Sequence, residues 1–226
     1  RFVDAGVAAV IGHLTSGAAI PASRLYNDAG ITMIAGSVTS PKFTEQGYNN
    51  TFRIIANDLQ QGQALAKYAV TELKSKRIAV IDDRTTYGQG LADDFAKATE
   101  AAGGTIVKRE YTTNSATDFM AILTSIKGEK PELIFYGGMD AQAGPLVKQM
   151  RKLGITAVFM GADGVNTAEF AKLAGKDGEG AYASSAGASK ELMPGYAAFN
   201  TKYKARFNGE IQAYAPYTYD ATRVVI

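Results

Sequence analysis

Two hydrophobic rhythms alternate along the chain. Short runs of consecutive apolar residues are each followed by a stretch in which apolar positions recur every three or four residues. The first kind of run reads as a strand buried on both faces, the second as an amphipathic helix. Residues 7–11 form the first such run, and Ala18, Ile20, Ala22, Leu25 and Tyr26 carry the helical spacing after it. Further strands are predicted over 32–36, 52–55, 77–82, 105–111, 133–138, 157–161 and 181–185. Helices are predicted over 59–74 with Asn57-Asp58 as cap, over 91–102, 118–127 and 142–153, from an Asn166 cap to 173, over about 190–207, and from Pro216 onward. Residues 83–90 are expected as a strand-to-helix loop. Such alternation predicts an α/β fold with parallel sheets flanked by helices. The strand-to-helix loops then share one edge of each sheet, where ligands of such folds bind.

Those loops carry a biased set of residues. The first holds Leu14, Thr15 and Ser16, with Ser16 where an N-cap belongs and Pro21 within the first turn or so of the helix. Hydroxyls and backbone N–H groups at the positive end of a helix dipole suit a carboxylate or phosphate. The second loop holds Ser37, Val38, Thr39 and Ser40 ahead of Pro41, which disfavours helix at Ser40. Later loops hold Tyr87, Met139-Asp140 and Asp163. Donors for a carboxylate and an acidic partner for an ammonium are what an α-amino acid requires, and Leu14, Tyr87 and Met139 suit the enclosure of its side chain. Each residue also has a plainer reading. Ser16 caps its own helix, Thr39 forms an ST-turn, Tyr87 lies on a helix entrance, Met139 fills a gap, and Asp163-Gly164 is a turn pair. The functional reading comes from their joint placement.

Composition narrows the classes. A chain of 226 residues suits one large α/β domain or two small ones. The net charge is +2 with both signs scattered, which argues against nucleic acid as a partner. No apolar run is long enough for membrane insertion. The absence of cysteine removes thiolate metal sites, thiol catalysis and disulfides, and a single histidine, His13, removes multi-histidine zinc sites. His13 reads as a core or rim residue. No phosphate loop, no dinucleotide fingerprint and no nucleophile–base set is found, so neither an enzyme nor a cofactor or metal is expected. Phe2-Val3 before Gly6 look like the end of a helix, and 222–226 continue a helical pattern, so both ends are expected to be cut within elements. The edge exposed by such a cut is expected to favour self-association.

The motifs Val10-Ile11-Gly12-His13-Leu14-Thr15-Ser16, Pro21-Ala22-Ser23, Gly30-Ile31, Thr39-Ser40-Pro41, Gly47-Tyr48 and Phe52-Arg53 resemble those of the branched-chain amino-acid (Leu/Ile/Val-type) binding proteins of bacterial ABC transporters. Tyr87-Gly88-Gln89-Gly90-Leu91, Phe135-Tyr136-Gly137-Gly138 and Phe159-Met160-Gly161-Ala162-Asp163-Gly164 extend the resemblance over essentially the whole chain. It implies a type I periplasmic-binding-protein fold, truncated at both ends. Lobe one would comprise residues 1–57 and 188–226 and be incomplete; lobe two would comprise 58–187. Hinges are expected at Ile55-Ala56-Asn57 and Ser185-Ala186-Gly187.

The resemblance further implies that Ser16 and Thr39 hold the α-carboxylate, with Ser37 adding backbone contact. Leu14, Thr15 and Val38 line the same loops, Asp163 pairs with the ammonium, and Tyr87 covers the ligand. Asp163 stands where members often carry Glu, and Met139 where an aromatic residue is common. An aromatic wall would come from a segment preceding this chain. The function implied is capture of an aliphatic L-amino acid between two closing lobes and delivery to an ABC permease. The location implied is the periplasm after removal of a signal peptide, or a lipid-anchored place outside the membrane in a Gram-positive source. A ligand-sensing regulatory or receptor domain of the same fold is the alternative.

Overall fold

Consecutive apolar residues leave no polar face to turn to water, so a strand made of them must sit inside a sheet covered on both sides. The computed structural model describes residues 1–226, apart from the side chain of Glu191. In chain order the elements are β1 (Ala9–Ile11), α1 (Ser16–Asp28), β2 (Thr32–Ala35), β3 (Thr51–Arg53), α2 (Asp58–Thr71), β4 (Arg77–Asp82), α3 (Thr86–Ala101) and β5 (Thr105–Tyr111). They continue with α4 (Met120–Gly128), β6 (Leu133–Gly137), α5 (Asp140–Lys152), β7 (Val158–Gly161), α6 (Ala168–Ala174), β8 (Tyr182–Ala183), α7 (Tyr196–Phe207) and α8 (Ala215–Val225). The fold is α/β, and the strands pair parallel in two sheets. The chain divides into two units: Arg1–Asn57 with Ala186–Ile226, and Asp58–Ser185.

The second unit holds a five-stranded sheet in the order β5-β4-β6-β7-β8. Because side chains alternate across a strand, β4 and β6 each feed two cores. Ile78, Val80, Leu133 and Phe135 face Leu65 and Ala69 of α2 and Leu91 and Phe95 of α3. Ala79, Ile81, Ile134 and Tyr136 face Leu123 of α4 and Leu146 and Met150 of α5. Phe95 stacks on Phe135 with ring centroids 3.8 Å apart.

The first unit holds a sheet in the order β1-β2-β3. Val10, Met33 and Ala35 pack with Ala19 and Tyr26 of α1 and with Val38 and Phe43. At the end of β2 the backbone of α8 comes so near Gly36 that a Cβ there would lie 2.9 Å from the Thr218 nitrogen. No residue of α7 is buried.

Several boundaries differ from the periodicity, each for a local reason. Helix α3 begins at Thr86, so most of the stretch expected as a loop is its first turn. Thr85 is the N-cap, its hydroxyl oxygen accepting from the Gly88 N–H. Helix α1 is capped by Thr15, not Ser16, and Pro21 lies in its second turn. Helix α6 is capped by Thr167, not Asn166, whose amide instead donates to the Ser184 carbonyl. Helix α4 starts at Met120, after Phe119 as N-cap at φ −121°, whose N–H donates to Gln149 Oε1 at 2.7 Å. The single long helix expected over 190–207 is a 3-10 turn, Lys190–Leu192, and a separate α7. Pro194 lacks an N–H to continue a helix, and Gly195 adopts φ +76°, outside helical space. No helix among the described residues is long and apolar enough to cross a membrane.

Candidate functional site

In the first unit β1 and β2 are hydrogen-bonded neighbours, so the loops leaving their carboxyl ends meet. Ser37 Oγ donates to the Leu14 carbonyl at 2.9 Å and lies 3.3 Å from that of His13. Ser16 is buried at the first position of α1, and its oxygen accepts from the Ser40 N–H at 3.2 Å. That bond leaves the hydroxyl hydrogen of Ser16 to donate. Arg53 Nη1 donates to the Ser40 carbonyl at 3.1 Å and so braces the same loop. The N–H groups of Ser16 and Gly17 belong to the first turn, where no intrahelical acceptor exists. Together these donors form a corner at the positive end of a thirteen-residue helix, where the chemistry suits an anion.

Not every residue expected there takes part alike. Thr39 is buried in this loop. Val38 is fully buried in the core cluster of the unit, so its side chain packs inward and its backbone alone borders the corner. Leu14 is 63% exposed. Thr15 caps α1 by backbone position, without a side-chain bond. His13 reaches Tyr26 OH at 3.1 Å and sits on the rim.

In the second unit the order β4-β6-β7 puts three carboxyl ends side by side. Between β4 and β6 the strand order reverses direction, which is where open parallel sheets bind ligands. Tyr87 follows β4, Met139 follows β6 and Asp163 follows β7. Tyr87 OH donates to Asp163 Oδ1 at 2.8 Å and accepts from the Gly164 N–H at 3.0 Å. Met139 is the N-cap residue of α5, and a Cβ on Gly164 would lie 2.9 Å from both Met139 Sδ and Tyr87 OH. The three residues therefore form one cluster. Tyr87 is 4% exposed and part of the α2/α3 core, so it is a fixed strut rather than a loop side chain.

The cluster has a member that the pattern did not point to. Gln61, on the first turn of α2, donates from Nε2 to Asp163 Oδ1 at 3.0 Å, and its Oε1 accepts from Ser184 Oγ at 2.6 Å. Its position, four and eight residues before Leu65 and Ala69 on the inward stripe, was the available signal: a polar residue on a buried face needs a partner.

A titratable pair lies behind Tyr87. Asp83 Oδ1 accepts from the N–H and hydroxyl of Thr85 at 2.9 and 2.6 Å. Asp83 Oδ2 and Tyr136 OH are buried, with no hydrogen-bond partner among the described residues. Burial pushes the Asp83 carboxyl above its ordinary value, Asp82 adds to the shift, and the Thr85 bonds oppose it. Burial, with the charges of Asp83 and Asp82, likewise pushes the Tyr136 phenol up. Among the described residues no group of three or more His, Cys, Asp or Glu is placed to hold a metal ion.

The periplasmic binding protein family model matches residues 1–226. The chain belongs to that family. An amino acid binding protein of Pseudomonas aeruginosa is 45% identical over 176 residues, covering 77% of this chain and 47% of the relative. The Leu/Ile/Val-binding protein homolog 1 of Brucella suis is 37% identical over 224 residues, covering 99% of this chain and 60% of the relative. The chain thus spans about half to three fifths of these curated relatives. Among solved members of this family, the leucine binding protein LivK of Thermotoga maritima superposes with a TM-score of 0.90 at 26% identity, covering 97% of this chain and 63% of that one. LivJ of Streptococcus pneumoniae, in complex with isoleucine, gives 0.88 at 30% identity, covering 98% and 63%.

Proposed function

We propose that this chain is the ligand-gripping part of a solute-binding protein for an aliphatic L-amino acid of the leucine, isoleucine and valine class. The protein delivers its ligand to an ABC permease outside the cytoplasm, in the periplasm or from a lipid anchor. No bond is made or broken; the ligand stabilises the conformation that binds it better. The observation that carries this reading is the buried Asp163 carboxylate, oriented by Tyr87 and Gln61 at three adjoining strand ends. An acid fixed in this way suits an ammonium, and the hydroxyl and N–H corner around Ser16 suits a carboxylate. The names of the relatives support the substrate class.

The experiment is titration calorimetry with leucine on the longer protein that contains this chain. Asp163→Asn is expected to cost about 2–5 kcal/mol of binding free energy, as truncation of a desolvated charge pair does. Unchanged affinity would remove Asp163 from the site and the amino-acid reading with it.

A further inference from the structure

We infer that Gln61 is a positioning residue, holding the Asp163 carboxylate and tying it to both places where the chain passes from one unit to the other. This rests on the reading of Asp163 as the ammonium partner. Gln61 is 4% exposed. Its Nε2 lies 3.0 Å from Asp163 Oδ1 and 3.3 Å from Asp58 Oδ1, and its Oε1 accepts from Ser184 Oγ at 2.6 Å. Which end of the amide is nitrogen follows from chemistry: ionised carboxylates only accept, so the NH₂ must face the two aspartates. Each of its two hydrogens then serves one carboxylate.

The partners sit at telling places. Asp58 is the first residue of the second unit after the chain enters it, and Ser184 is the last but one before the chain leaves. Asp163 is 102 residues from Gln61, and Ser184 is 123. One side chain thus links the ammonium-binding acid to both crossings. Movement at either crossing is felt by the carboxylate, and occupancy of the carboxylate is felt at the crossings. A positioning side chain in a water-poor setting has this leverage because its hydrogen bonds are costly to leave unmade.

The test uses leucine titrations of the longer protein, read against Asp163→Asn as reference. Gln61→Glu replaces the NH₂ with a group that repels both aspartates when ionised. It is expected to weaken binding at neutral pH by about tenfold to a hundredfold, with affinity recovering as the pH falls and the introduced carboxyl takes a proton. Gln61→Leu is expected to weaken binding without that pH dependence. Ser184→Ala is expected to weaken it by about threefold to tenfold and to be non-additive with Gln61→Leu. Should Gln61→Leu not fold, Ser184→Ala alone and with Gln61→Glu carries the comparison. Wild-type affinity in both Gln61 variants, or a flat pH profile for Gln61→Glu, overturns the positioning role. Additivity with Ser184→Ala overturns the link to the crossings. Should Asp163→Asn itself bind leucine normally, it is the amino-acid reading of the site that has failed, not this relay.

Discussion

The two units follow the same strand–helix pattern, yet they bury their residues differently. In the second, the central strands β4 and β6 are covered on both faces, and residues such as Phe95, Phe135, Leu133 and Phe159 have no exposed surface. In the first, three strands of three or four residues carry one cluster, and the large apolar residues Phe207, Val224 and Leu25 are more than half exposed. A sheet buries apolar surface in proportion to its covered area, so widening it from three strands to five does more than lengthen a core. It places β4 and β6 inside the sheet with helices packed on both faces, so that their side chains of either orientation are buried. The wider unit therefore sets its polar cluster against a core, with Tyr87 anchored in it and Asp163 buried beside it; in the narrower unit Ser16, Thr39 and Ser40 are buried as well, but Leu14 of the same loops is exposed.

The contrast predicts a graded series of effects on unfolding by denaturant. Phe95→Ala removes a ring stacked on Phe135 in the centre of the wider unit. It is expected to cost about 3–5 kcal/mol; a loss below 1 kcal/mol would mean that the double-faced core is not the main source of stability. Next comes Gly137→Ala. A Cβ at Gly137 would collide with the Gly88 carbonyl, where the first turn of α3 touches β6. The expected cost is about 1–3 kcal/mol, and because Tyr87 belongs to that turn, leucine affinity of the longer protein should fall as well.

Third is a pH effect at Asp83. Burial holds its carboxyl above the ordinary aspartate value, so the folded state keeps this proton longer than the unfolded one. Stability linked to Asp83 is therefore full below the unfolded value and is lost as pH rises through the folded pKa. Asp83→Asn retains the acceptor for Thr85 and removes the titration. The variant is expected to melt higher than the parent at neutral pH, with the gap closing as pH falls toward the unfolded value. A gap of constant size would show that the Asp83 proton is not involved. Last, Phe207→Ser on the exposed face of α7 is expected to change stability by about 0.5 kcal/mol or less; a large loss would show that the narrower unit depends on that helix.

The legibility of the chain follows from the range of the interactions involved. Strands β4 and β6 were plain because a continuous apolar run needs only its neighbours to be recognised. The start of α3 was not, since Thr86, Tyr87 and the two nearby glycines carry no helical period and the cap depends on Thr85 bonding to Gly88. The break between residues 190 and 207 was signalled by Pro194 and Gly195, but the helical spacing on either side obscured it. Thr15, Ser16, Ser37, Tyr87, Met139 and Asp163 were singled out because polar residues recurred in the loops after strands. Gln61 was missed because its partners are over a hundred residues away.

The amino-acid order alone determined the α/β alternation, the parallel pairing, the loops that bear hydroxyls and acids, and the family. These follow from local periodicity and from short motifs, which need no knowledge of distant residues. Only the tertiary structure decided that Tyr87 is an anchored strut, that Val38 turns inward, and that Gln61 grips Asp163. Such roles depend on which strand ends become neighbours and on which polar groups lose water, and both are properties of the folded sheet rather than of any stretch of chain.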